Sequence, residues 1–143
     1  MIAGTRLVLD ASVILKWALD GSDEQDRQAA LELLDGWRGG DLEILVPTLW
    51  LYEVGNILCL KRPDDAEQAL AALRGLGLVE VAIDGDLAAE TVAVALGHGV
   101  TFYDAAYLAV ARRHGAVLVT ADGRFLKRLP EDAPARLLAS LGS

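Results

Sequence analysis

Short apolar runs and amphipathic stretches alternate along the chain. "RLVLD" is rich in branched apolar residues and ends at Asp10, which indicates a buried strand, and "ASVILKWALD" continues with helical spacing. "LEILVP" predicts a second strand that ends at Pro47. Between them, residues 23–38 predict an amphipathic helix with acids opposite its apolar face. That face consists of Ala30, Leu33, Leu34 and Trp37.

The segment "LWLYEVGNILCL", residues 49–60, predicts a helix that is apolar on every side, and such helices are buried. Thr48 is placed to cap this helix and Pro63 to end it. Cys59 lies inside the run, so we expect it to be a small core residue. Glu53 lies at the centre, where an unpaired carboxylate would be costly, so it needs a partner.

The same alternation continues to the C-terminus. "DDAEQALAALRGLG" and "DGDLAAETVAVALGHG" predict helices on either side of the strand "LVEVAI". "TFYDAAYLAVARRHG" predicts a helix, "AVLVT" a strand, "ADGRFLKRL" a short helix, and "ARLLAS" is a candidate for a last strand. Strands that alternate with helices predict an α/β sandwich around a mainly parallel sheet, with ligands bound outside the carboxyl ends of the strands.

Length and charge narrow the class of protein. The 143 residues fit a single domain, 1–143, with one sizeable core. The sequence lacks a signal-peptide pattern and has no apolar run of roughly 18 residues, so we expect a cytoplasmic protein without a membrane span. A net charge of −8 argues against a protein that coats nucleic acid, although acids gathered around bound cations would weaken that argument.

Three aspartates are candidates to meet Glu53 in such a fold. Asp10 follows the first strand, Asp122 stands two residues beyond "AVLVT", and Asp104 lies in the first turn of a helix. Each has a local alternative, since Asp10 and Asp122 can cap helices and Asp104 follows Thr101 at capping-box spacing. The alternative for Glu53 is a side chain that reaches the surface at a helix edge.

Four clustered carboxylates would require a cation. Two unit charges about 4 Å apart repel by roughly 4 kcal/mol at an effective dielectric constant near 20, so four acids could not stay ionised and dry. Mg²⁺ or Mn²⁺ would suit oxygen ligands and leave room for substrate phosphates. Asn56, three residues after Glu53, shares its helical face. His98 and His114 have no second histidine or cysteine at ligand spacing, which disfavours zinc.

Four segments resemble, in order, the acidic motifs of PIN-domain ribonucleases, especially VapC-type toxins: "LVLDASVILKW", "LYEVGNIL", "TFYDAAYLAVA" and "LVTADGRFL". The resemblance implies a three-layer α/β/α fold and an endoribonuclease dependent on Mg²⁺ or Mn²⁺. It also implies a homodimer and an antitoxin whose segment occupies the active-site groove. The matching acids are Asp10, Glu53, Asp104 and Asp122, with Ser12, Asn56 and Thr120 in supporting positions.

The expected reaction is metal-assisted hydrolysis of single-stranded or looped RNA. Asp10 and Asp104 are the expected direct metal ligands, Glu53 would bind directly or through water, and Asp122 would help to place a second ion or the attacking water. Basic residues in the last third are candidate contacts to the RNA backbone, with a solvated helix face as the alternative. They are Arg112, Arg113, Arg124 and Lys127.

Two other classes of protein remain open. A haloacid-dehalogenase-type phosphatase also has an aspartate after its first strand but would have a second one where this chain has Ser12, and a receiver domain would have further acids near that strand. The other alternative is a PIN-like scaffold that binds a partner without turnover. For the tryptophans, a core position is favoured over an interface; they are Trp17, Trp37 and Trp50.

Overall fold

The computed structural model describes residues 4–19 and 24–141. These residues form five strands: β1 (Thr5–Leu9), β2 (Leu42–Pro47), β3 (Val79–Val81), β4 (Val117–Thr120) and β5 (Ala135–Leu137). The same described ranges contain seven α-helices: α1 (Ala11–Ala18), α2 (Glu24–Arg38), α3 (Trp50–Lys61), α4 (Ala66–Arg74), α5 (Gly85–His98), α6 (Phe102–His114) and α7 (Gly123–Arg128). A 3₁₀ turn, Leu138–Ser140, follows β5.

The strands form one sheet in the order β3-β2-β1-β4-β5, and every pairing is parallel. The chain adds β2 and β3 on one side of β1, and later β4 and β5 on the other. The strand order therefore reverses between β1 and β4, and ligands of open α/β sheets bind outside the carboxyl ends of strands at such a point. This is where the sequence places Asp10 and Asp122.

Helices cover both faces of the sheet, which confirms the predicted α/β/α sandwich. On one face, alternate strand residues such as Leu7 and Ile44 pack with apolar side chains of α1 to α4. On the other face, Val8, Leu45 and Leu118 pack with α5, α6 and α7. Successive strand side chains point to opposite faces, so both layers are built from the same short apolar runs.

The predicted core holds for the amphipathic helix and the tryptophans. In α2, Ala30, Leu33 and Leu34 are buried. Trp50 is buried as well, and the indole N–H groups of Trp17 and Trp37 donate to backbone carbonyls. The predicted boundary residues Asp20 and Asp23 lie outside the described residues.

The prediction for α3 was wrong in three respects. The helix is buried on one face only, through Trp50, Val54 and Leu58, and Cys59 is exposed. Leu49 rather than Thr48 stands at its N-cap, and no side chain caps it. The all-apolar pattern misled because α3 lies at the surface with apolar side chains on its outer side. The buried helix is α6, in which every residue from Ala105 to Ala111 is buried.

The last strand is shorter than the sequence predicts. Of "ARLLAS", the residues Ala135–Leu137 pair with β4 as a parallel edge strand, and the next three form the 3₁₀ turn. β3 is likewise limited to three residues. Among the described helices, none has both the length and the apolar character needed to cross a membrane.

Candidate metal and nuclease site

Asp10 lies at the carboxyl end of β1 and is the N-cap of α1. Its side chain accepts hydrogen bonds from the backbone N–H of Ser12, at 3.1 Å, and from the Ser12 hydroxyl. Its own N–H donates to the carbonyl of Val119 on β4, at 3.3 Å. Only 8% of the residue is exposed. The capping role considered from the sequence is therefore real, and it fixes the carboxylate at the point where the strand order reverses.

The hydroxyl groups of Ser12 and Thr120 connect the start of α1, where Asp10 lies, to the end of β4. Ser12 Oγ accepts from the N–H of Ala121 at 2.9 Å and lies 3.5 Å from Oγ1 of the fully buried Thr120. Thr120 Oγ1 in turn accepts from the N–H of Asp122 at 3.0 Å. The structure thus gives Ser12 and Thr120 supporting positions. Asn56 is exposed on α3 and takes no part in these hydrogen bonds.

Glu53 is in the first turn of α3, not at the middle of a buried helix as expected from the sequence. It is partly buried, and its Oε1 accepts a hydrogen bond from the hydroxyl of Tyr107, at 2.5 Å. Tyr107 is buried in α6, three residues after Asp104 and hence on the same helical face. Burial, followed by the charge of Glu53, raises the pKa of Tyr107, which therefore stays a donor.

Asp104 and Asp122 complete the group. Asp104 is in the first turn of α6, where its N–H donates to Oγ1 of Thr101 at 3.0 Å. Asp122 is the N-cap of α7 and accepts from the N–H groups of Arg124 and Phe125 at 3.0 and 3.3 Å. It is exposed at the surface, whereas Asp104 is partly buried.

All four acids therefore stand at helix N-termini: the caps of α1 and α7 and the first turns of α3 and α6. A helix that directly follows a strand begins at the carboxyl edge of the sheet. A helix that runs antiparallel to the strand after it also begins at that edge. The positive end of each helix dipole favours a nearby anion by typically about 0.3–1 kcal/mol. This arrangement explains how several carboxylates gather at one edge of a sheet without a salt bridge to any of them among the described residues.

The acids interact electrostatically. Burial raises the pKa of Asp10 to about 6, against hydrogen bonds that lower it, and the charge of Asp104 raises it further. Burial also raises the pKa of Glu53, and the charges of Asp104 and Asp10 add to this effect. The pKa of Asp104 is raised by burial and then by the charge of Asp122. These mutual effects connect the four carboxylates as one cluster.

A family model described as the PIN domain matches residues 7–131, which include all four acids. The chain belongs to the PIN-domain family. Ribonuclease VapC3 of Pyrobaculum aerophilum is 33% identical over 132 residues, covering 87% of this chain and 95% of that relative. The PIN domain described here is thus related in sequence to the VapC ribonucleases.

Solved structures agree with the fold of this PIN domain. A toxin–antitoxin complex from Klebsiella pneumoniae has a TM-score of 0.69 and 19% identity, covering 92% of this chain and 97% of that one. VapC20 of Mycobacterium tuberculosis, a toxin that cleaves the sarcin–ricin loop, has a TM-score of 0.67 and 21% identity, covering 85% and 93%. At these identities the likeness establishes the fold alone.

The donor set of the PIN domain is compatible with a hard divalent cation. Carboxylate oxygens are the ligands that Mg²⁺ and Mn²⁺ prefer. Within the described residues, no three His, Cys, Asp or Glu side chains form a ready-made metal cage. Mg²⁺ seldom uses such cages, because it keeps several waters and is held by one or two carboxylates together with substrate phosphates. The raised pKa of Asp10 is the second point of fit, because a nearby cation would relieve the repulsion that contributes to it.

The basic residues predicted to contact RNA fall into two places. Arg124 and Lys127 are on α7, directly after Asp122, and the positive charge of Arg128 on the same helix lowers the pKa of Asp104. Arg112 and Arg113 are at the opposite end of α6, roughly 12 Å along the helix axis from Asp104. Arg113 is already paired there with Asp84 and Glu90, at 3.0 and 3.4 Å.

Tyr107 was not predicted as a site residue, although its position three residues after Asp104 could have pointed to it. We expect Tyr107→Phe to lower the rate of RNA cleavage about tenfold, because the carboxylate of Glu53 loses the hydrogen-bond donor that orients it. The fold should persist, since phenylalanine has nearly the same shape. Cleavage kinetics and chemical denaturation test this, with Tyr52→Phe on the exposed side of α3 as the control. An unchanged rate would remove Tyr107 from the site.

Proposed function

We propose that this PIN domain is a metal-dependent endoribonuclease that hydrolyses RNA phosphodiester bonds and acts as the toxin of a type II toxin–antitoxin system. The observation that carries the proposal is the electrostatic coupling of four carboxylates from four helix N-termini at the carboxyl edge of the sheet. The ribonuclease VapC3 relative supports the reaction class, and the neighbouring toxin structures support the biological role.

The residues of the site would have different roles in binding the cation and in orienting its ligands. Asp10 and Asp104 would hold Mg²⁺ or Mn²⁺ directly, and Glu53 directly or through water. When bound, the cation supplies an activated water and stabilises negative charge on the phosphate. Ser12 orients the Asp10 carboxylate, and Tyr107 orients that of Glu53. Asp122, exposed at the edge of the cluster, is free to place the attacking water or a second ion.

Expression in bacteria tests the function. Brief expression followed by sequencing of cellular RNA ends should reveal new 5′ ends at a few single-stranded or looped positions. The Asp104→Asn protein, expressed to the same level, should give none of them. If both proteins gave the same ends, or neither gave any, the endoribonuclease proposal would be rejected.

The charges on α7 are proposed to bind the RNA backbone, since they flank Asp104 and Asp122. In the Asp104→Asn background, which holds RNA without cutting it, we expect Arg124→Ala and Lys127→Ala each to weaken binding and to reduce the salt slope of log Kd by about 0.7. Arg113→Ala is the control because that side chain pairs with Asp84 and Glu90. A larger loss for Arg113→Ala would place the RNA on the other end of α6.

An antitoxin is proposed as the protein partner, as in the toxin–antitoxin complex that shares this fold. A groove of about 290 Å³ between α1 and α3 leads to Ser12 and would accommodate an apolar segment of that partner. Expression of this chain alone should arrest growth by cutting cellular RNA, and co-expression of the product of the adjacent gene should restore growth. Arrest that persisted with the adjacent gene expressed would contradict the antitoxin partner. The groove is lined by Ser12, Leu15, Lys16, Leu19, Ile57 and Lys61.

A homodimer in the cytoplasm, where the RNA and the antitoxin would be met, completes the proposal. Large apolar side chains are exposed on α3 and α5: Tyr52 and Leu60, eight residues apart, are 78% and 71% exposed, and Leu96 is 81% exposed. Such side chains favour a covered face. Light scattering of the purified chain should give the mass of two chains, and the mass of one chain would contradict this part.

A further inference from the structure

A small apolar cavity lies at the carboxyl edge of the sheet, and its lining includes Tyr103, the residue that precedes Asp104. Its volume is about 110 Å³, and its walls come from the carboxyl ends of β2 and β3 and from α5 and α6. None of its described lining residues is charged. The lining includes Pro47, Thr48, Val81, Phe102, Tyr103 and Val110.

Two aromatic rings of this lining are incompletely covered. Phe102 is 41% exposed and Tyr103 is 61% exposed, although both stand at the start of a helix that is buried from Ala105 to Ala111. Tyr103 directly precedes Asp104, so the two side chains leave α6 about 100° apart around its axis. The exposed ring therefore belongs to the residue that adjoins, along α6, a carboxylate proposed to hold the cation.

We propose that the cavity receives the base of the nucleotide adjacent to the cleaved phosphate, stacked on Tyr103 with Phe102 as a side wall. The inference rests on the proposed function and adds to it the part of the substrate that is recognised. Single-stranded RNA is commonly bound by splaying a base onto an aromatic side chain, which works for any base because each has a π-face.

The size and lining of the cavity favour this occupant. At about 110 Å³ it is smaller than the roughly 300–1,000 Å³ of pockets for drug-sized ligands, so it suits one ring system rather than a helix face of a second copy. A neutral lining suits a base and disfavours a phosphate. The most exposed apolar side chains of α3 and α5, Tyr52, Leu60 and Leu96, are not part of the lining.

Kinetics on a short RNA with a mapped cleavage site test the proposal. Tyr103→Ala should raise KM on the order of tenfold with kcat nearly unchanged, because stacking contributes equally to binding of substrate and transition state. Tyr103→Phe should behave like wild type, and Tyr103→Leu should resemble Tyr103→Ala. Val92→Ala, which shortens an exposed apolar side chain outside the cavity lining, is the matched control and should change neither constant.

A substrate that lacks one base gives the second arm. Removing the base at one of the two nucleotides that flank the cleaved bond should raise KM for wild type by the same factor, and should have no further effect on Tyr103→Ala. Additive effects of the two changes, or an unchanged KM for Tyr103→Ala, would overturn the stacking proposal. So would a change in the mass of the particle with Tyr103→Ala, which would assign the ring to an interface between copies.

The proposed endoribonuclease activity and the stacking of a base on Tyr103 can be tested separately. If the wild-type chain cleaves no RNA in the presence of metal, the proposed function fails. If wild type cleaves and Tyr103→Ala cleaves with the same KM, only the base-stacking inference fails.

Discussion

Asp104→Asn is expected to reduce RNA cleavage at least about a thousandfold, equivalent to roughly 4 kcal/mol of transition-state stabilisation. The carboxylate is in the first turn of α6, and its charge is coupled to those of Asp10, Glu53 and Asp122. Asparagine keeps the size of the side chain but loses the charge that would hold the cation. The metal-free variant should unfold at the same or a higher denaturant concentration, because one repelling charge is gone.

Asp86→Asn is the matched control for this variant. Asp86 is likewise in the first turn of a helix, α5, but it is exposed and takes no part in the cluster. Its substitution should leave cleavage unchanged. An Asp104→Asn protein that cut RNA in Mg²⁺ at the wild-type rate would show that the acids of the cluster are not the catalytic centre.

Asp10→Asn should change how the stability of the metal-free protein depends on pH. Burial raises the pKa of Asp10 from 3.8 to about 6, so the folded state favours the neutral carboxyl. The stabilisation from this group is complete below about pH 4 and is lost as the pH rises through 6. Two pKa units correspond to about 3 kcal/mol, so in EDTA the variant should gain about that much on wild type between pH 4 and pH 8.

Denaturant unfolding in EDTA at a series of pH values measures this difference. For Asp84 the N–H of Leu87 and then the Arg113 guanidinium lower the pKa, so its contribution to stability is present above about pH 4 and is lost only as the pH falls below that value. The stability difference between Asp84→Asn and wild type should therefore stay constant between pH 4 and pH 8. A constant difference between wild type and Asp10→Asn over the whole range would contradict the buried, charge-coupled position of Asp10. Adding Mg²⁺ at pH 8 should stabilise wild type more than the variant, through binding to the folded state.

Much of the fold can be predicted from local patterns, because a short segment is enough to specify each strand or helix. Branched apolar runs such as "LVL" and "AVLVT" become strands that are buried on both faces of the sheet, and Asp10 and Asp122 mark the ends where helices begin. The order of strands in the sheet was not predicted in detail. It depends on long-range pairing, such as β1 with β4, more than a hundred residues apart.

The wrong predictions for α3 have a common physical origin, because the composition of an apolar helix does not reveal which of its sides is covered by the rest of the protein. "LWLYEVGNILCL" reads as buried all round, yet Cys59 is exposed and Tyr52 is 78% exposed, because nothing in the described chain packs over that side of α3. The helix also begins at Trp50, so Glu53 benefits from the helix dipole. The charge that seemed misplaced is at a favourable position.

The partner of Glu53 was predicted only in part. The sequence directed attention to the other acids, and Asp10 and Asp104 do act on its charge. Its direct hydrogen-bond partner is Tyr107. The apolar residues around Tyr107 in α6 indicate only a core position for it. A buried tyrosine needs a partner for its hydroxyl, and this requirement is the signal that would have identified it.

The four acids also favour the proposed ribonuclease over a PIN-like scaffold that binds a partner without turnover. A scaffold would have no need to keep four mutually repelling carboxylates together, one of them with its pKa raised to about 6. Substitution by neutral residues would stabilise the metal-free fold, as expected for Asp10→Asn. The coupling of the cluster therefore favours the proposed role, in which the acids bind metal and RNA.

The most direct test of the central claim uses purified protein and one fluorescent, partly single-stranded RNA. Wild type and Asp104→Asn are incubated with it in EDTA, and then with Mg²⁺ or Mn²⁺ in excess over the chelator. We predict no cleavage in EDTA, cleavage at defined internal positions by wild type once metal is added, and none by Asp104→Asn. Cleavage that persisted in EDTA, or equal cleavage by both proteins, would contradict a metal-dependent nuclease built on these four acids.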